Sequence, residues 1–206
     1  MLRIVPWLPP IFEDRAAAGR ALATSVAETA LENPIVVGVA RGGVGVAAEV
    51  ARVLAAPLTA VAVASVTVEG RRLGVVTSDG AAAIVAERSV ADEVLARARR
   101  AAEAVAARLD HEPLPIEGRD TLVVDDGVIT GSTLAAACRS ARARDAARVI
   151  AASPVGRSDG LERLQAEASV VVCPHRLDDI AVVGLAYSSF EPLDEWYVAG
   201  LLAGAK

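Results

Sequence analysis

The 206-residue chain predicts an α/β fold built on a parallel sheet, and three observations predict it. A short apolar, β-branched run, Pro34–Ala40, leads through the glycine-rich turn Arg41-Gly42-Gly43-Val44-Gly45 into a helical pattern and then a second apolar run, Leu58–Val68. A strand–loop–helix–strand unit of this kind is the building block of parallel sheets. A further strand-like run, Thr121–Val124, ends on two adjacent carboxylates and a loop rich in Gly, Ser and Thr that opens another helical pattern. The alternation of strand and helix then continues to Cys173.

Each element has its own warrant. Phe12–Glu32 places Phe12, Ala16, Leu22, Val26 and Ala30 near helical spacing, and Asn33-Pro34 ends it. Pro34–Ala40 is a buried strand, Val46–Leu54 the helix after the glycine turn, and Leu58–Val68 a second strand with Pro57 at its start. Gly70, Gly74 and Asp79-Gly80 then bound two short apolar pieces, Leu73–Val76 and Ala81–Val85, which reads as a β-hairpin. Ser89–Leu109 is a long Ala- and Arg-rich helix with Arg97, Arg100, Glu103 and Arg108 on a solvated face. His111–Arg119 is a Pro-containing connector in which His111 is expected to be solvated. Strand Thr121–Val124, helix Ser132–Arg144, strand Arg148–Ala152, helix Asp159–Ala166 and strand Ser169–Cys173 follow. The tail, Pro174–Lys206, carries His175, the run Leu177–Val183, the aromatics Tyr187, Phe190, Trp196 and Tyr197, and a short final helix.

Composition narrows the chemistry. Hydrophobic residues make up 53% of the chain but aromatics only 3%, so small Ala and Val side chains must fill the core. No apolar run reaches the roughly 18 residues of a membrane-spanning helix, and Met1–Pro10, broken by three prolines, is a poor signal peptide. Two cysteines, Cys138 and Cys173, are too few for a disulfide framework and fit a reduced, cytoplasmic setting. A net charge of -5 argues against broad nucleic-acid binding. Lys206 is the only lysine among 21 basic residues, which removes a Walker-type lysine and a Schiff-base lysine from consideration. No His, Cys and carboxylate spacing resembles a zinc site, and Cys138, inside a helix with no base beside it, is a poor nucleophile. One domain spanning residues 1–206 is the expectation.

The segment Val123-Val124-Asp125-Asp126-Gly127-Val128-Ile129-Thr130-Gly131-Ser132-Thr133 carries the strongest chemical signal. Ligands of open parallel sheets bind beyond the carboxyl ends of the strands, and Asp125 and Asp126 sit at such an end. Gly127 and Gly131 permit a tight turn whose N–H groups converge on an anion. Thr130, Ser132 and Thr133 add hydroxyls, and the helix that starts near Ser132 presents its positive end. Two carboxylates beside a phosphate repel it unless they face hydroxyls or a cation, a conflict that a ribose 5-phosphate resolves.

This segment resembles the phosphoribosyl-diphosphate-binding motif of the type I phosphoribosyltransferases. Phe12-Glu13-Asp14-Arg15, followed by Ala18-Gly19, and the Arg41-Gly42-Gly43-Val44 turn, followed by Val46-Ala47-Ala48-Glu49-Val50, are similar to an uncharacterised bacterial branch of that family. The resemblance implies a Rossmann-like parallel sheet flanked by helices, with a small hood made from the β-hairpin and the C-terminal tail. It implies that Asp125 and Asp126 take the ribose hydroxyls. Gly127 and Ile129, Thr130, Gly131, Ser132 and Thr133 would take the 5-phosphate, and Arg41, Gly42 and Gly43 the pyrophosphate. Asp125, Asp126 and Arg41 become the catalytic candidates. Mg is implied as cofactor, held through diphosphate and ribose rather than by direct protein ligation. Phosphoribosyl diphosphate or ribose 5-phosphate is the implied ligand, in a cytoplasmic homodimer that meets neither nucleic acid nor membrane.

Departures from the family pattern shape the alternatives. Ile129 stands where hypoxanthine- and guanine-type members carry a base-acting Asp. Ala64-Ser65-Val66-Thr67-Val68 lacks the Arg-Lys pair that relatives place after the second strand. Arg71 and Arg72 either supply that charge or form a surface hairpin tip, and the tail aromatics either wall a base pocket or pack on the core. The missing pair leaves room for a non-catalytic ribose-phosphate-binding regulator with the same fold. Asp125-Asp126-Gly127-Val128 lacks the residue between the acids, and the chain lacks the later lysine, that an aspartate-loop phosphatase of the haloacid-dehalogenase type needs.

Overall fold

A computed structural model describes residues 9–84 and 90–204. The readings of Met1–Pro10, of the hairpin end at Val85, of the helix start at Ser89 and of Lys206 fall wholly or partly outside those residues.

The first helix, α1 (Arg15–Ala27), starts later than Phe12 because Asp14 caps it, its carboxylate accepting the Ala17 N–H at 2.7 Å. Phe12 instead bridges to Tyr187 in the tail. The helix stops at Ala27, short of Glu32: the periodic Ala30 is exposed and has no core to face. After strand β1 (Ile35–Ala40), helix α2 runs Gly42–Leu54, so the glycine-rich turn is the first turn of the helix rather than a loop before Val46. Strand β2 (Leu58–Val68) turns at Glu69-Gly70, both with positive φ, into the antiparallel β3 (Arg71–Thr77), and β3 pairs in turn with β4 (Ala82–Ile84). The expected hairpin is therefore continuous with the main sheet and forms its edge. Helix α3 (Asp92–Arg108) packs over β2 and β3, with Arg97, Arg100, Glu103 and Arg108 exposed as expected.

Strand β5 (Asp120–Val124), helix α4 (Ser132–Ala143), strand β6 (Arg148–Ala152), helix α5 (Ser158–Leu164) and strand β8 (Val170–Val172) complete the alternation. Two-residue strands β7 (Val155–Gly156) and β9 (His175–Arg176) pair with each other beside the sheet. A 3-10 turn (Val183–Ala186) and helix α6 (Glu195–Gly204) end the described chain. Among the described residues no helix is long and apolar enough to cross a membrane.

The seven-stranded sheet has the order β4-β3-β2-β1-β5-β6-β8, with β2, β1, β5, β6 and β8 parallel. Side-chain alternation along β1 and β5 feeds two cores: Val36, Leu122 and Val124 face α1, α2 and α6, whereas Ile35, Val37 and Val123 face α4 and α5. The succession of strands reverses direction between β1 and β5. That reversal splays the following loops apart and leaves a crevice at the carboxyl ends of these two strands.

Candidate functional site

The crevice holds the segments singled out in the sequence. Beyond β5, Asp125, Asp126, Gly127, Val128, Ile129, Thr130, Gly131 and Thr133 line one cavity of about 410 Å³, closed on other sides by Arg72, Leu134 and the tail residues Ala181–Val183. Gly131 turns the chain into α4 with φ +78, a conformation that side-chain-bearing residues rarely adopt. Ser132 is buried behind the loop, its hydroxyl 2.9 Å from that of Thr130, and the Arg163 guanidinium holds the Thr130 carbonyl at 3.0 Å. The first N–H groups of α4 have no partner within the helix and open toward the loop.

The two carboxylates have different surroundings. Asp126 is paired: Arg15 Nε donates to its Oδ2 at 2.9 Å, with both side chains mostly buried. Arg15 is itself fixed, stacked 3.8 Å from the Phe190 ring centroid and donating from Nη1 to the Glu191 carbonyl at 2.9 Å. The Tyr187 hydroxyl donates to the Asp126 carbonyl at 2.6 Å, and burial pushes its pKa up, which keeps it a donor. Asp125 has no ion pair among the described residues; its Oδ1 accepts the Asp126 N–H at 2.9 Å. Burial, followed by the neighbouring Asp126 charge, raises the Asp125 pKa well above the usual carboxylate range. Burial also raises that of Asp126, but Arg15 works against the rise. Asp125 is thus a desolvated acid facing the cavity, stabilised as an anion by any hydroxyl or cation that arrives there.

The Arg41–Gly43 turn lies against the same acids. A Cβ on Gly42 would collide with the Asp126 carboxylate, and one on Gly43 would lie 2.6 Å from the Val124 carbonyl and 3.0 Å from Asp125 Oδ1. The turn therefore tolerates only glycine where it touches the acids. Gly42→Ala is expected to displace Asp126, costing about 1–3 kcal/mol by overpacking; urea unfolding alongside ligand titration checks both stability and affinity. The Ala40–Arg41 peptide bond is cis. The Arg41 guanidinium itself lies outside the cavity lining and pairs with Glu195 at 3.3 Å, which Arg108 also contacts at 3.3 Å.

Other expected positions resolve as follows. Arg72 reaches the loop and donates to Thr133 Oγ1 at 3.0 Å, whereas Arg71 is not part of the lining. Tyr187 and Phe190 pack around Arg15 and the tail, Trp196 is 86% exposed, and Val182 and Val183 wall the cavity instead. His175 stands edge-on to the Phe12 ring at 5.3 Å. His111 is not simply solvated: its Nε2 lies 3.0 Å from the buried Thr59 hydroxyl. Burial raises the thiol pKa of Cys138 to about 12, in keeping with an inert side chain. Arg15 is the site residue that sequence reasoning missed, and Tyr187, named among the tail aromatics, reaches the site through the Asp126 carbonyl and not as a cavity wall. The only sequence signal for Arg15 was its place in the Phe12–Arg15 start.

The family model for the phosphoribosyl transferase domain matches residues 11–189, and the chain belongs to that family. Its architecture is the type I phosphoribosyltransferase fold. The chain is similar to the protein TT1426 from Thermus thermophilus, with TM-score 0.82 and 35% identity over 94% of this chain and 98% of that one. AQ2163 from Aquifex aeolicus shares the fold, with TM-score 0.53 and 14% identity over 84% and 85% of the two chains. The "Putative phosphoribosyl transferase" of Mycobacterium tuberculosis is 34% identical over 211 residues, covering 93% of this chain and 46% of the relative. The chain thus spans about half the length of that relative.

Proposed function

We propose that the chain transfers phosphoribose from phosphoribosyl diphosphate to a nitrogenous acceptor with the help of magnesium. The observation that carries this reading is the shared cavity in which the acid pair opens directly onto the Gly127–Thr133 loop and the start of α4. Asp125 and Asp126 accept hydrogen bonds from the ribose hydroxyls, while the loop N–H groups and the Thr130 and Thr133 hydroxyls hold the 5-phosphate; Ser132, expected to join them, is buried outside the lining and braces Thr130 from behind. The first-turn N–H groups of α2, at Gly42 and Gly43, face the diphosphate, and Arg41 joins them by leaving Glu195. The acceptor nitrogen attacks C1, the C1–oxygen bond breaks, and pyrophosphate leaves with the bonding electrons, the proton of the nitrogen passing to the departing pyrophosphate or to solvent. Ile129, Ala181, Val182 and Val183 give a planar heterocycle an apolar wall, with no acid at Ile129 to take its proton.

Among the described residues no group of three or more His, Cys, Asp or Glu side chains could hold a metal alone. The residues fit magnesium held through ligand oxygens: Asp125, desolvated and without an ion pair among the described residues, and Asp126 beside it would hold the ribose hydroxyls, and ribose and diphosphate together would carry the ion without direct protein ligation. When bound, magnesium supplies positive charge to the departing diphosphate. The same reading takes the chain as one domain, acting as a cytoplasmic homodimer.

A second reading, a regulator that binds ribose phosphate without turnover, draws support from the Arg41–Glu195 pair and from the uncharged end of β2. Isothermal titration with phosphoribosyl diphosphate and with ribose 5-phosphate, each with and without magnesium, tests both. Magnesium-dependent preference for the diphosphate, followed by pyrophosphate release with one of a panel of bases, is the result expected for the transferase. Equal affinity for both ligands with no release favours the regulator, and binding of neither overturns both readings.

A further inference from the structure

Arg72 reaches the ligand edge by an indirect route. Strand β3 runs opposite to β2, and the pairs Thr67–Arg72 and Val68–Arg71 bring its beginning level with the carboxyl end of β2. From there the guanidinium meets Thr133, in the first turn of α4. A helix start carries partial positive charge, so a permanent cation beside it is unfavourable unless an anion lies between them. Among the described residues Arg72 has no carboxylate in ion-pair range. Among those residues it is also the only cation lining the cavity, because the nearby Arg163 is directed to the Thr130 carbonyl and lies outside the lining. Asp125 feels the charge of Arg72, which lowers the carboxyl pKa against the larger effect of burial, but the two make no ion pair and the guanidinium is directed to Thr133.

We propose that Arg72 recognises the terminal 5-phosphate of the ribose ligand, making it a specificity residue at the sugar-phosphate end rather than a substitute for the missing basic pair at the diphosphate end. The proposal rests on the ribose-phosphate reading above. A phosphate monoester seated on the Thr130–Thr133 loop has oxygens directed at both the N–H groups of the loop and the guanidinium fork. The dianion then relieves the repulsion between Arg72 and the helix start. A fork of donors fits two phosphate oxygens at once, which a lysine ammonium does not. The site would on this account select phosphorylated over free pentoses by charge, with the acid pair reading the hydroxyls in either case.

Isothermal titration of wild type, Arg72→Met and Arg72→Lys with ribose 5-phosphate, phosphoribosyl diphosphate and inorganic pyrophosphate tests the assignment. Arg72→Met is expected to weaken ribose 5-phosphate and phosphoribosyl diphosphate by the same factor, about ten- to a hundredfold for a lost charge-assisted hydrogen bond. Pyrophosphate affinity should stay unchanged, and Arg72→Lys should fall between the two. Arg72 is exposed, so thermal melts of both variants should match wild type and separate binding from folding. A loss confined to phosphoribosyl diphosphate and pyrophosphate overturns the proposal by moving Arg72 to the other end of the ligand. Unmoved affinities in Arg72→Met, with a wild type that binds, overturn it alone. A wild type that binds none of the three overturns it together with the reading on which it rests.

Discussion

Replacing Arg15 by Met is expected to destabilise the protein by about 3 kcal/mol, because removing one partner of a buried ion pair strands the other charge. Asp126 would lose the cation 2.9 Å from its Oδ2 while staying buried between the Gly42 turn and the tail. Its pKa, raised by burial and held back by Arg15, would rise further, so the carboxylate would take up a proton at higher pH. Cation–ring contact with Phe190 and the hydrogen bond to the Glu191 carbonyl would go as well. Urea unfolding of Arg15→Met, Asp126→Asn and the double variant measures the effect. The double variant should recover much of the loss, because no charge is left without a partner. Additive losses would show that Arg15 acts through packing on Phe190 and not through Asp126.

Asp125→Asn is expected to do the opposite to stability while sharply weakening ligand binding. In the ligand-free protein the Asp125 pKa is raised, first by burial and then by Asp126. A carboxyl whose folded pKa exceeds its unfolded value binds more protons folded than unfolded between the two, so it removes stability as pH rises through that window. Asn has the shape of the protonated acid and can keep the hydrogen bond from the Asp126 N–H. The variant should therefore match wild type near pH 4 and gain on it as pH rises, by about 1 kcal/mol, the usual size of a relieved functional strain. Ribose 5-phosphate affinity should drop about tenfold or more, as for a lost hydrogen bond to a charged group. Thermal melts from pH 4 to pH 8, with and without ligand, provide the comparison. A wild-type advantage in the ligand-free melts at neutral pH would mean that the ionised carboxylate is satisfied by the protein itself.

Much of this architecture was legible in the sequence because its signals are contiguous. Strand, acid pair, Gly/Ser/Thr-rich loop and helix start occupy the single stretch from Thr121 to Thr133, and the order of residue types marks each part. The Arg41–Gly45 turn was found but placed before α2, since glycine reads as loop; packing against Asp126 and the Val124 carbonyl decides instead that the helix begins at Gly42. Strands β7 and β9 have two residues each, too few for any alternation to appear. Arg15, Tyr187 and Arg72 lie 111, 61 and 61 positions from their partners in the site. No local pattern encodes such meetings. They follow from the antiparallel turn of β3 and from the path of the tail across the carboxyl edge.

That tail path ties the segment from Tyr187 to Glu191 to any equilibrium in which a ligand meets the acid pair. Ser188 and Ser189 donate backbone hydrogen bonds to the Phe12 and Glu13 carbonyls, next to the start of α1, and Tyr187 holds the Asp126 carbonyl. Arg15 ties α1 to Asp126 and to Glu191 at once. The segments Phe12–Arg15 and Tyr187–Glu191 are thus clasped to each other beside Asp126. A ligand that favours the ordered acid pair also favours the closed clasp, by the same free energy with which the clasp favours the ligand.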